Sequence, residues 1–252
     1  PATVGIVAWS DADAVHSYVR GCTTGIENHT EYSMSVDNIV EDCSGTGILS
    51  SGFTYMGAVN NTVRRCGGVG IDVGGSVPEV TGNTVDSVGS IGIRIAATRV
   101  APSDNIVRAA GGDGMLLLSN AVAVAENNVV GRCAGRGIAV QSPSNTGLNG
   151  NTCYANGAAG FDASGAADAS IHNNIAYGNG GYGLVWSGSG TLDLACNDWY
   201  ENGGGMVVGT APGATDVSLY PLFCHLAEDD VHLSANSPLL SLGGCGLVGA
   251  LG

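Results

Sequence analysis

Three stretches, NVVGRCAGRGIAV at 128–140, NTCYANGAAGFDA at 151–163 and NIAYGNGGYGLVW at 174–186, are copies of one pattern laid end to end. Each opens on Asn and reaches, nine positions later, a Gly followed by a large apolar residue. The Gly pair extends in both directions. It recurs as Gly5-Ile6, Gly25-Ile26, Gly47-Ile48, Gly70-Ile71, Gly92-Ile93, Gly114-Met115, Gly137-Ile138, Gly160-Phe161, Gly183-Leu184 and Gly205-Met206, at spacings of 20 to 23 residues. The Asn recurs as Asn38, Asn61, Asn83, Asn105, Asn128, Asn151, Asn174 and Asn197, 22 or 23 apart. Two residue types held in register over so much chain mark a repeat architecture.

Within a repeat the apolar residues alternate. Ile71-Asp72-Val73 and Ile93-Arg94-Ile95 read in, out, in, as half-buried strands do. An apolar residue stands two positions after each Asn, and Leu148, Ile171 and Leu194 mark a third short strand before the later ones. No ten-residue window carries a helical apolar stripe. Three short strands per 22–23 residues predict an all-β fold: a single-stranded parallel β-helix of about ten coils. That coil length suits the right-handed form. Leucine-rich repeats share the period but need an L-x-x-L-x-L spacing that is absent here. In a stacked solenoid the Gly column marks either a positive φ or a lack of room for Cβ. The Asn column predicts a ladder of buried side-chain amides. Residues 1–206 are assigned to coils and 207–252, where the period breaks, to a C-terminal capping segment.

Composition narrows the function. The 252 residues include 42 Gly, eight Arg and no Lys, against 22 acidic residues, for a formal net charge of −14. So acidic a chain has few cations to offer nucleic-acid phosphates or an anionic membrane surface. No apolar run is long enough to span a bilayer, so neither nucleic acid nor membrane insertion is expected. The repeat already runs at Gly5. Its first coil is therefore expected to be cut from a longer chain, trimmed of a leader, or covered by a neighbouring molecule at Pro1.

The unit N-x-V-x-x-C/N-x-x-x-G-I-x-V resembles the repeat of pectate-lyase-like right-handed parallel β-helix proteins over roughly residues 1–210. The tail, with Cys196-Asn197-Asp198, Tyr220-Pro221-Leu222-Phe223-Cys224, Asp230-Val231-His232-Leu233, Ser237-Pro238 and Cys245-Gly246-Leu247-Val248-Gly249-Ala250, resembles the closing segment of secreted bacterial members. That resemblance implies an extracellular or cell-surface location and a disulfide between Cys196 and Cys224. It leaves Cys245 without a partner. The fold is shared by lyases, hydrolases, epimerases, adhesins and phage spikes, so it does not fix an activity. The other thiols read differently. Cys43, Cys66 and Cys133 share a column with Val88, Ala110, Asn156, Asn179 and Asn202, as small inward residues do, although neighbouring coils bring Cys43 and Cys66 close enough for a bridge.

Chemistry-bearing patterns are sparse. Gly67-Gly68-Val69-Gly70-Ile71-Asp72 starts like a calcium-binding nonapeptide, but Gly74 occupies the apolar position and no tandem copy follows. No C-x-x-C or tight Cys/His spacing suggests zinc, and no metal site is expected. The paired-Asp, Gly-His-Gly and Arg-Ile-Lys signatures of polygalacturonases are absent, and a Lys base is excluded. The outward column beside the Gly ladder offers Glu27, Asp72 and Arg94. Asp72 and Arg94 lie one coil apart and predict an ion pair. As a catalytic set the three would serve a polysaccharide lyase, with Ca²⁺ as the cofactor, or a glycosidase. Histidines 16, 29, 172, 225 and 232 are scattered and read as surface or turn residues.

Near-constant coil length leaves no inserted loops to build a cleft. The first expectation is therefore an extracellular structural or interaction protein without a cofactor: a rigid, self-associating rod of a surface layer, fibre or adhesive appendage. The alternatives are a carbohydrate-active enzyme and a non-catalytic glycan-binding wall. For the wall, aromatics gather in the last coils as Tyr154, Tyr177, Tyr182 and Tyr200, with Trp186 and Trp199 facing inward.

Overall fold

The computed structural model describes residues 3–9, 11–29, 31–52, 54–141 and 144–252, the side chain of Asn120 excepted. The first wall holds ten parallel strands in sequence order, from Val4–Trp9 through Ile71–Gly75 to Gly205–Val208, one per Gly pair. Ten strands leave nine turns of solenoid between them. The third wall holds nine parallel strands, from Tyr18–Arg20 to Asp198–Tyr200, each starting just after the Asn position. The second wall begins as Ala14–Val15, Met34–Val36, Gly57–Val59 and Glu79–Thr81. In mid-molecule the long strands Ile93–Val100 and Met115–Glu126 bend from the first wall into the second, which continues as Asn145–Asn149, Asp168–His172 and Leu192–Ala195.

The walls enclose one apolar core of stacked equivalents. Ile26, Ile48, Ile71, Ile93 and Ile138 lie above one another from the first wall, facing Val40, Val63, Val85, Val107 and Val130 from the third, all fully buried. The Gly column is set by space. A Cβ on Gly47 would stand 2.4 Å from Val63 Cγ1 and 2.6 Å from the Gly70 carbonyl oxygen. The corner before each ladder Asn does use the left-handed region, for example at Asp37, Asn60, Asp104, Asn127 and Asn173.

The Asn ladder forms as expected. The backbone N–H and Nδ2 of Asn105 both donate to Asn128 Oδ1 at 3.0 Å, and Asn128 repeats this onto Asn151 at 2.9 and 3.0 Å. Each Nδ2 also reaches a second-wall carbonyl, Val80 O from Asn105 and Pro102 O from Asn128. Asn197 ends the series on Asp216 Oδ1. In the last coils the cysteine column changes to Asn156, Asn179 and Asn202, which build a second, shorter ladder. Cys43, Cys66 and Cys133 are buried free thiols. Burial pushes Cys66 up to about 12 and Cys133 up to about 11.

After Val217, which bridges to Asp198, the tail turns back along the outer face of the third wall. It carries an antiparallel pair, Phe223–His225 with Asp230–Leu233. Val231 packs with Val129 and Tyr154, while Leu233, Leu239 and Val248 pack with Ile175. Polar contacts fix the track: Arg108 Nη2 donates to Asp229 O, Tyr154 Oη to Asp229 Oδ1, and Gly249 N to Asn173 O. The segment assigned as a cap is thus largely a lateral cover.

The tail also corrects the disulfide. Cys196 bonds Cys245, with Cα atoms 5.6 Å apart, and Cys224 is an exposed free thiol. Cys196 sits at the corner before Asn197, where the end of the tail passes; Asn173 Nδ2 donates to Cys245 O from the equivalent corner one coil earlier. Cys224 lies on the tail's hairpin, at the third wall.

Candidate functional site

Outward residues of the first wall stack as closely as the core does, so the column through Glu27, Asp72 and Arg94 can be followed strand by strand. Asp72 pairs in register with Arg94, and Arg94 Nη1 donates to Asp72 Oδ1 at 2.8 Å. Leu49 separates Glu27 from Asp72. The three therefore do not converge. Arg94 is held by a carboxylate, and Glu27 instead meets His29, with Nε2 3.1 Å from Oε1. Further along, Arg136 bridges Asp113 at 2.6 Å and Asp162 at 2.8 Å. Burial works to raise Asp162, but hydrogen bonds from Ser164 and Arg136 hold its carboxyl below the usual range. Among the described residues no three His, Cys, Asp or Glu side chains gather as a metal-ligating group. One arginine-neutralised carboxylate does not fit a calcium centre.

The third wall of the first coils carries a saturated ionic network. Glu41, only 4% exposed, accepts from Tyr18 Oη, Arg64 Nε and Arg65 Nη2. The Tyr18 hydroxyl, followed by Arg64, brings its carboxyl down to about 2. Arg20 and Arg65 close on Asp42 at 2.7 and 2.6 Å. Every charge there has a partner within the network, which suits a structural face.

The corner between the first and second walls in the first three coils is different. Trp9 ends the first strand, pairs in register with His29, and stacks on its ring at 4.5 Å and 21°. Around the corner Tyr32 and Tyr55, one coil apart, stack at 5.8 Å and 17°. Trp9 is 61% exposed, Tyr55 60% and Tyr32 52%. Tyr32 sits at φ 61° and Tyr55 at φ 37°, left-handed conformations unusual for aromatic residues. Among the described residues nothing covers these rings. In each stack the rings cover one another's inner faces and leave edges and outer faces open, an aromatic platform near the Glu27–His29 pair that can contact a sugar or a cation.

The sequence matches the model of a right-handed β-helix region over residues 4–139 and 73–218, most of the chain. The chain belongs to the right-handed β-helix family. Among solved structures this β-helix is similar to pectate lyase Pel9A, with a TM-score of 0.64 at 17% identity, over 93% of this chain and 69% of that one. The likeness is one of fold. No curated protein matched the sequence.

Several expected site features are placed elsewhere. Five of the six expected aromatics of the last coils of this β-helix are roofed or internal, and Tyr182 is half-buried on the first wall. Trp186, Trp199 and Tyr154 are buried, and Tyr177 and Tyr200 stack beneath Tyr220, with Phe223 edge-on to Tyr177. Four histidines stand beside carboxylates: His16 with Asp37, His29 with Glu27, His172 with Asp193 and His232 with Asp230. Sequence reading passed over Trp9, Tyr32 and Tyr55 because they belong to no repeating column. The available signal was large aromatics at turn positions, where a solenoid ordinarily places Gly, Asn or Asp.

Proposed function

We propose that this β-helix is an extracellular glycan-binding protein whose ligand lies against the aromatic corner of its first three coils. The observation that carries this reading is the pair of exposed ring stacks, Trp9 on His29 and Tyr32 on Tyr55, beside the Glu27 carboxylate. Catalysis is not part of the proposal, because Asp72 and Arg94 neutralise each other and Glu27 stands apart from them. The Cys196–Cys245 disulfide suits an oxidising compartment. The carbohydrate connection of the fold, as in pectate lyase Pel9A, supports the same class of ligand.

The test is a glycan array followed by calorimetry on the intact chain. Trp9→Ala and Tyr55→Ala are expected to abolish or sharply weaken binding, with far-ultraviolet circular dichroism unchanged. Glycan-bound signal indifferent to both substitutions would refute the proposal. Reducing-sugar release and ultraviolet absorbance of unsaturated products, with and without Ca²⁺, test the enzymatic alternative.

Uniform coil length favours a second reading, a self-associating rod in a surface layer, fibre or adhesive appendage. Its test is sedimentation with imaging of native material. A strict monomer without filaments counts against it.

A further inference from the structure

The charge distribution around the aromatic corner narrows the ligand class. Seven of the 22 acidic residues fall before residue 64, against a single arginine, Arg20. Arg20 is committed to Asp42 on the third wall, within the network that also holds Glu41. The remaining five are Asp11, Asp13, Glu27, Glu31 and Asp37, and no arginine stands among them. Asp11 and Asp13 lie in the turn after Trp9, and Glu31 in the turn after His29, next to Tyr32. Asp11, Asp13 and Glu31 are exposed. Asp13 Oδ1 accepts the Met34 N–H at 2.8 Å, which ties the first turn onto the second coil. Among the described residues neither Asp11 nor Glu31 makes an ion pair. Elsewhere on the first wall the acids are matched, Asp72 by Arg94, and Asp113 and Asp162 by Arg136. Beside the aromatic platform, by contrast, Asp11, Asp13 and Glu31 stand exposed with no arginine partner among the described residues.

We propose that the ligand at this corner is a cationic glycan, a linear polymer of 2-amino-2-deoxy sugars with protonated amines. The inference rests on the glycan-binding reading and sharpens it. A ring platform favours the apolar face of a pyranose, and a ring edged by carboxylates favours an ammonium group. A polyuronate would bring like charge onto Asp11, Asp13, Glu27 and Glu31, which repels it. Geometry favours a polymer over a single cation. The coils rise about 4.8 Å, close to the length of one pyranose along an extended chain, and aromatic residues occur in each of three successive coils. A ligand touching Trp9, Tyr32 and Tyr55 therefore spans two coil rises, about 10 Å, with the acidic turns beside its first two coils.

The experiment uses the full chain and four probes at matched length where applicable: a glucosamine oligomer, its fully N-acetylated counterpart, an oligogalacturonate, and tetramethylammonium. The glucosamine oligomer is expected to bind roughly tenfold or more tightly than the N-acetylated one, the ratio that about 1.4 kcal/mol supplies. That advantage should shrink at high salt. Asp11→Asn/Glu31→Gln should remove most of it, and adding Asp13→Asn and Glu27→Gln the rest. Trp9→Ala should weaken both neutral and cationic oligomers. If the two oligomers bind equally and remain sensitive to Trp9→Ala, the cationic assignment is overturned and the glycan reading stands. Tighter binding of the oligogalacturonate overturns it as well. Tetramethylammonium binding as well as the oligomer would overturn the polymer. If no glycan on an array binds, both the reading and this inference fall.

Discussion

The third wall is built from the same repeat throughout, yet its two ends meet the outside differently. In the first coils its outward residues include Tyr18, Arg20, Glu41, Arg64 and Asp86, and that face stands open, with Arg20, Glu41 and Arg64 paired in one network. From Arg108 onward the outward residues are Val129, Tyr154, Ile175, Tyr177 and Tyr200, and the tail lies over them. Inward residues of this wall stay apolar and buried along the solenoid, from Val19 through Val130 to Trp199, so the core does not decide where the tail goes. Outward residues do. A charged face is stable in water, whereas a strip of Val, Ile and Tyr must be covered. Arg108 and Arg132 mark the border, both reaching the tail through Leu226 and Asp229.

Deleting residues 218–252 should break this contrast most severely. Val231, Leu233, Leu239 and Val248 would be lost from buried positions, at roughly 1.5–3 kcal/mol each. Hydrogen exchange should accelerate at Val129–Gly131, Thr152–Tyr154 and Ile175–Tyr177 and leave Tyr18–Arg20 and Ile39–Glu41 protected. Uniform acceleration along the solenoid would show that the two ends are not independent.

Asp198 gives the covered end a pH dependence. Its carboxyl is wholly buried, with Oδ1 accepting the Leu219 N–H and Oδ2 lacking a hydrogen-bond partner. Burial raises it from 3.8 to about 7, against the hydrogen bond from Leu219. In the unfolded chain the proton leaves first, so stability should fall as pH climbs from about 4 to about 7, by on the order of 4 kcal/mol. Asp198→Asn should flatten that slope in chemical-denaturation series across this range.

The disulfide adds a smaller increment. Cys196 and Cys245 are 49 positions apart, and closing a loop of that size contributes about 2–4 kcal/mol. Cys245→Ser should lower Tm accordingly, while Cys224→Ser leaves it unchanged. At the open end the smallest effect is expected. Glu41 titrates near 2 instead of 4.5, so its contribution is present above about 4.5 and lost as pH falls towards 2. Glu41→Gln should cost Tm at neutral pH and lose its effect at pH 2.

Everything encoded by the period was legible in the sequence: three walls, the stacked Ile and Val columns, the Asn ladder and the crowded Gly column. Features outside the period were not. Asp216 lies 19 residues after Asn197, so the ladder's last member is out of step. Tyr154 meets Asp229 across 75 residues with no spacing rule to announce it. The Cys196 partner was read from similar tails as Cys224, although the tail's path, set by the apolar outward strip, delivers Cys245 instead. The aromatic corner sits at strand ends and in the turns that follow, where each residue is chosen singly and neighbours in the repeat say little about it.

Amides pass hydrogen bonds in one direction along the inside of this molecule, each side-chain oxygen serving the winding before it. Asp216 accepts from Asn197 N, Asn197 Nδ2, Trp199 Nε1 and Gly213 N, and a carboxylate has no proton of its own to hand on. The relay therefore stops chemically at that residue. An isosteric Asn would set its Nδ2 against Trp199 Nε1 and Gly213 N, two donors, so the ladder's end needs the carboxylate.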